Sequence, residues 1–153
     1  MTDLAPSTAV VQRVLPATPE VVFNEWVDAE AFADWMCPRP ARATNIELDA
    51  RVGGRVRIDI DENGVSFHVV GTYLVLDRPS RLQFTWSCST WADPDLETVV
   101  TVTFEPHDGT DTLMTIHHAL LPPDLVSNHE QGWSAIAAQL ETSLRRASEA
   151  TSS

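Results

Sequence analysis

Residues 111–144 read Asp-Thr-Leu-Met-Thr-Ile-His-His-Ala-Leu-Leu-Pro-Pro-Asp-Leu-Val-Ser-Asn-His-Glu-Gln-Gly-Trp-Ser-Ala-Ile-Ala-Ala-Gln-Leu-Glu-Thr-Ser-Leu, and they change period partway along. Before Pro122-Pro123, Met114, Ile116 and His118 alternate with Leu113, Thr115 and His117, which is the period of a strand with one buried face. After the prolines, Trp133, Ile136, Ala137, Leu140 and Leu144 stand at i, i+3, i+4, i+7 and i+11, one apolar stripe along a helix. The stripe predicts a C-terminal helix over about 134–146. Gly132 predicts a kink, or two abutting helices, in whatever begins near Pro123.

Upstream, the strand period persists from about residue 42. Val56, Ile58 and Ile60 alternate with Arg55, Arg57 and Asp59, and Asn63-Gly64 supplies a hairpin turn that tolerates positive φ. Residues 65–76 are long for one strand, with Gly71 as the expected bend. Leu82, Phe84 and Trp86 and then Val100, Val102 and Phe104 repeat the alternation, and His107-Asp108-Gly109 predicts another turn. Nearer the start, residues 9–15 form a first strand. Thr18-Pro19-Glu20 then opens a helix with a hydroxyl cap, carrying Val22, Phe23, Trp26 and Val27 on one face, and a second short helix covers 30–35. The predicted class is therefore α+β: a curved antiparallel sheet of six to seven strands, two small helices after the first strand, and a long C-terminal helix covering the sheet. One domain is expected over 8–147, with flexible ends at 1–7 and 148–153.

Composition narrows the function. The chain has 153 residues, enough for a core without disulfide or metal support, and 43% of them are hydrophobic. Its formal net charge is −12, and all ten basic residues are arginine. That charge repels phosphate backbones and anionic lipid surfaces, so neither nucleic acid nor a membrane is an expected partner. No apolar run reaches membrane-spanning length, and the first residues carry Asp3 without a basic start, so no secretory leader is expected. Cys37 and Cys88 make no CxxC pair; reduced thiols in a cytoplasmic protein fit them better than a disulfide. No His, Cys and carboxylate set has ligand spacing, so neither a metal nor a cofactor is expected. Asp93, Asp95 and Glu97 imitate a calcium loop, but Pro94 interrupts them.

The order of these pieces resembles the helix-grip fold of the START-like, or SRPBCC, superfamily, shared with birch-pollen-type allergens. Within it the chain resembles the branch related to activators of the heat-shock-protein-90 ATPase. The resemblance rests on Arg13 with Ala17-Thr18-Pro19-Glu20-Val21-Val22-Phe23, on Trp26-Val27-Asp28-Ala29-Glu30 leading to Trp35, and on Asp49-Ala50-Arg51-Val52-Gly53-Gly54. It continues through Gly71, Arg78-Pro79-Ser80-Arg81-Leu82, Phe84-Thr85-Trp86, residues 112–118 and Gly132-Trp133, covering roughly 10–144. It implies a cavity between sheet and terminal helix that relatives use for lipids, hydrophobic natural products or, less often, cyclisation. On this resemblance a single domain without the additional N-terminal domain of the eukaryotic co-chaperones is expected, so a co-chaperone-type partner is disfavoured. A homodimer stays open.

The expected cavity residues are Trp35, Phe84, Trp86, Met114, Ile116, His118 and Trp133, all on faces assigned inward, with Trp86 and Trp133 facing each other across the space. Core filling is the competing role of each. His118 is the one acid–base candidate, because strand parity turns it inward and His117 outward; its competing role is a histidine tied to a backbone carbonyl. His68 and Tyr73 are candidate polar contacts of undetermined face, since a bend at Gly71 would flip parity, and Ser66 and Cys88 lie on the same central strands. Arg51, Arg55 and Arg57 either hold a carboxylate or pair with Asp49, Asp59 and Asp61. The expected function is binding of a small hydrophobic or amphipathic molecule, such as a fatty acid, aromatic natural product or polyketide. A cyclase- or dehydratase-type enzyme using His118 and a co-chaperone-like interaction module are the alternatives, and a non-catalytic role is favoured.

Overall fold

Period-two segments joined by tight turns pair with their neighbours in sequence, and the computed structural model, which describes residues 7–93 and 95–151, shows that outcome. Its elements in chain order are β1 (Ser7–Leu15), α1 (Pro19–Val27), α2 (Ala29–Trp35), β2 (Arg42–Leu48), β3 (Arg55–Glu62), β4 (Val65–Asp77), β5 (Arg81–Cys88), β6 (Thr98–His107) and β7 (Asp111–Leu121). A 3-10 turn (Pro123–Leu125) then leads into α3 (Val126–Thr151). The sheet is antiparallel with order β1-β7-β6-β5-β4-β3-β2. The expected end segments at 1–6 and 152–153, and Pro94, lie outside the described residues.

The turns form where the local chemistry demands them. Asn63 and Gly64 both take positive φ (53° and 84°), giving the two-residue hairpin between Glu62 and its partner Val65. Asp108 and Gly109 also take positive φ (46° and 88°), in a loop of three residues, 108–110, between His107 and its partner Asp111. Thr18 sits at the cap of α1 but makes no side-chain bond; its carbonyl accepts from the Val22 N–H instead. The expected hydroxyl cap is thus not formed; a side-chain cap occurs at α2 instead, where the Asp28 carboxylate accepts from the Glu30 N–H.

Gly71 has a different role from the one its position implies. Register between β4 and β5 holds through it, and the irregularity falls between Tyr73 and Val75. Parity is kept, so Val69 and Tyr73 are both buried. What requires glycine is proximity, because a Cβ at Gly71 would stand 1.8 Å from the Thr85 carbonyl oxygen of β5. Further register shifts in β1 and β2 bend the outer strands, as bulges do.

The terminal helix is longer than its apolar stripe. It starts at Val126, runs through Gly132 without a break, and continues to Thr151 through residues read as a loose tail. Gly132 costs helix propensity of only about 1 kcal/mol, which the packed turns on both sides offset. Trp133, Ile136, Ala137, Leu140 and Leu144 are all buried against the sheet, each large one contributing roughly 1.5–3 kcal/mol by removal from water. Arg13 of β1 donates to Glu141 of α3 at 2.8 Å, pinning the helix across the sheet. Arg51 and Arg57 pair with Asp49 and Asp59, each two residues away. These are local pairs rather than the cross-strand ones the alternation implies.

Candidate functional site

Three elements leave a space they do not fill. Parity puts Ile58, Ile60 and Glu62 of β3 on the concave face of the sheet, with Phe67 and Val69 of β4 and Trp86 and Cys88 of β5. Opposite stand His129, Trp133 and Ile136, on one face of α3, and one side is closed by the turn holding Met36, Cys37 and Pro38. Together with Trp91 and Asn128 they bound a cleft of about 480 Å³. Gln139 of α3 ties the closing turn down by donating to the Trp35 and Cys37 carbonyls, at 2.8 and 2.9 Å. A larger hollow, about 860 Å³, lies between α2, the start of β2 and α3, but Glu25, Asp34, Arg39, Arg42 and Arg146 make it a polar groove.

Of the expected cavity residues, this geometry places Trp86 and Trp133 on the wall. They do not face each other across a space: their rings are in contact, 5.2 Å between centroids, and the cleft is bounded by them rather than lying between them. Phe84, Met114 and Ile116 point inward as strand parity requires and Trp35 is buried from α2, but all four belong to the packed core away from the wall. The reason is the aromatic cluster of α1 and α2. Trp26 sits 4.9 Å from Trp35 and 6.1 Å from Trp133, filling the deep end that the sequence pattern leaves open. Tyr73 is buried edge-on to Phe84, its phenol shifted up by burial, and is off the wall as well. His68 takes the outer face opposite Asp59, so the candidate polar contacts do not meet at the cleft.

His118 is fully buried behind Trp86 and Trp133, and both ring nitrogens are engaged. The Trp133 indole N–H donates to Nδ1 at 3.0 Å. Thr98 Oγ1 lies 2.6 Å from Nε2 and gives its own proton to the Trp86 carbonyl at 2.7 Å. The hydroxyl has one proton, so Nε2 must carry the hydrogen shared with Thr98. The chain Trp133→His118→Thr98→Trp86 carbonyl is thereby closed, with the imidazole neutral. Burial, and then repulsion from His129, lower its pKa to about 3. A ring so placed neither reaches the cleft nor holds a transferable proton near neutral pH. The backbone-carbonyl tie expected as its alternative is replaced by two side-chain partners.

Apart from Cys88, the polar residues at the cleft are ones the spacing did not single out. His129 is four residues before Trp133, on the same face of a helix that the apolar stripe started too late to include. Its Nδ1 lies 2.9 Å from the Leu125 carbonyl and must donate to it, because a carbonyl only accepts. Nε2 is left with its lone pair. The ring packs edge-on to His118 at 5.0 Å and to Trp91 at 6.0 Å, and burial holds its pKa below the ordinary histidine range. Cys37 and Cys88 are free and both line the cleft. Burial pushes the Cys37 thiol up to about 12, so it is not a nucleophile. Cys88 Sγ is 3.1 Å from the Thr90 hydroxyl. Among the described residues no group of three or more His, Cys, Asp or Glu is placed to hold a metal, and no helix is long and apolar enough to cross a membrane.

A family model described as "Activator of Hsp90 ATPase homolog 1-like protein" matches residues 16–145. Among solved structures, a Chromobacterium violaceum protein superposes with a TM-score of 0.81 at 27% identity, covering 90% of this chain and 96% of its own. A Rhizobium leguminosarum protein gives 0.76 at 26%, covering 92% and 95%. The AHSA1 protein of Silicibacter pomeroyi gives 0.80 at 22%, covering 91% and 98%, a likeness of fold. No curated protein matches the chain.

Proposed function

Since this chain belongs to the family of Activator of Hsp90 ATPase homolog 1-like proteins, we propose that it binds a small hydrophobic or amphipathic molecule in the cleft between the concave sheet and α3. One observation carries the reading. The cleft is walled by Ile58, Ile60, Phe67, Val69, Trp86 and Trp133, and the protein's own side chains leave it about 480 Å³ unfilled. An apolar recess of that size next to a close-packed core is what a ligand site requires and what a core alone avoids. A cyclase or dehydratase working through His118 has less support, because acid–base chemistry needs a group that reaches substrate with a mobile proton. A partner-binding module would be served by a filled cleft.

The test uses N-phenyl-1-naphthylamine, an uncharged apolar probe, with tryptophan emission as the readout, since Trp86, Trp91 and Trp133 all line the cleft. Saturable quenching is expected, with a melting temperature that rises with probe concentration because the probe binds the folded state alone. Gly132→Leu is the blocking variant. A Cβ there meets the Pro38 side chain at an ordinary 3.7 Å, so the added chain fills the cleft without a backbone clash. Replacing a mid-helix glycine also favours the helix, so the variant should fold at least as stably as the parent while losing the probe. Undiminished probe binding by Gly132→Leu, or none by the parent, would refute the reading.

A further inference from the structure

Resting on the cleft as a ligand site, we infer that its ligand is an uncharged or cationic aromatic molecule bearing a hydroxyl or amine donor, and not a carboxylate-bearing lipid. The inference comes from which polar groups the wall presents. Ten arginines are the chain's whole complement of fixed positive charge, and none of them lines the cleft. Among the described wall residues, the side chain that carries a charge is Glu62, which strand parity places on the concave face beyond Ile58 and Ile60. A carboxylate entering this space would give up water for neutral groups and approach a like charge.

The fixed hydrogen-bonding groups that β3 and α3 bring to the wall point the same way. The indole N–H of Trp133 is turned away to His118, so the largest ring on the helix side offers the ligand a face and no donor. His129 Nδ1–H is committed to the Leu125 carbonyl, which leaves Nε2 as an acceptor on a ring that lines the cleft. Glu62 also only accepts. Asn128 and Gln131 can turn either end of their amides to a ligand and so do not discriminate. An acceptor on the helix, an acceptor at the end of β3 and tryptophan faces between them match a flat ring with an O–H or N–H group. A protonated amine gains further from Glu62 and from the negative faces of Trp86 and Trp91.

Three naphthalenes that differ in one substituent test this: 2-naphthol, 2-naphthylmethylamine and 2-naphthoate. Dissociation constants are read from tryptophan quenching near neutral pH and at ~0.15 M salt, where the Debye length of about 8 Å screens the overall charge of the protein. The naphthol and the amine are expected to bind about tenfold or more tightly than the naphthoate, the gap that roughly 1.4 kcal/mol produces. His129→Phe should erase the advantage of the naphthol, and His129→Gln, which keeps an acceptor, should restore part of it. Glu62→Gln, at an exposed position, should narrow the gap between amine and naphthoate. Thermal melts confirm that each variant is folded. Equal binding of all three compounds by the parent, or a ranking that survives both Glu62→Gln and His129→Phe, overturns the ligand class while leaving the cleft as a ligand site. Failure of all three to bind saturably overturns the cleft reading, and this one with it.

Discussion

Thr98 is the residue on which the buried polar chain turns, and Thr98→Val isolates its contribution. Valine keeps the β-branched shape and nearly the same volume, so β6 and its packing are preserved and what is lost is the hydroxyl. Two buried groups lose their partner at once: the His118 Nε2–H, on a residue with 0% exposure, and the Trp86 carbonyl. Leaving a buried donor or acceptor unsatisfied costs about 1–3 kcal/mol each, so the expected loss is about 2–6 kcal/mol. Against a typical domain stability of about 5–15 kcal/mol that is a large fraction, and it lowers the melting temperature by roughly 10 °C for a chain of this length. The assay is urea unfolding followed by tryptophan emission, which reports on Trp86 and Trp133 directly, with Thr98→Ser as the comparison. Serine retains the hydroxyl and gives up a methyl group, at a cost of about 1 kcal/mol. A Thr98→Val protein as stable as the parent, or more stable than Thr98→Ser, would refute the assigned bond chain and with it the neutral, immobilised His118.

The same burial sets a pH dependence: the folded His118 pKa of about 3 lies below the unfolded value of ~6.5, so the unfolded chain takes up the proton first. Its contribution is full above ~6.5 and declines as pH falls, by up to about 1.4 kcal/mol per pH unit; His129 adds in the same direction, and Glu25, whose carboxyl burial shifts up, opposes it. Urea midpoints from pH ~6.5 to ~4.5 follow this ahead of the ordinary carboxylates, and a flat profile would contradict it. Gly71→Ala drives a Cβ toward the Thr85 carbonyl and must spread β4 from β5; a loss above about 3 kcal/mol is expected by chemical denaturation, and a variant within about 1 kcal/mol of the parent would disprove the close approach.

These pieces connect chain to function through one division of labour. The indole of Trp133 is anchored from behind by His118, which is anchored by Thr98, so the back wall of the cleft is rigid. Its front is held by Gln139, whose amide grips the turn carrying Cys37 and Pro38. A pre-formed wall lowers the ordering cost that a bound molecule must offset.

Alternation in residues 55–60, 82–86, 100–104 and 114–118 was enough to predict the strands, their facing and the burial of His118, because side-chain parity is a local property of extended backbone. The turns at Asn63-Gly64 and Asp108-Gly109 were equally legible, since few residue pairs tolerate positive φ. The helix stripe from Trp133 to Leu144 identified the face that packs on the sheet. It did not reveal that α3 begins at Val126, because the turns before Trp133 carry little apolar signal and are stabilised by what they pack against. That lost stretch holds His129, one of the polar residues that line the cleft.

Which inward residues line a space and which fill one was decided by the tertiary structure alone. Phe84, Trp86, Met114 and Ile116 share one parity rule, yet one of the four reaches the cleft, because α1 and α2 push Trp26 and Trp35 into the deep end. The partners of His118 lie 20 and 15 residues away along the chain, on different elements, where no spacing rule connects them. Periodicity describes how one segment meets its surroundings. Whether those surroundings are another side chain or an open cleft depends on how segments far apart in sequence come together.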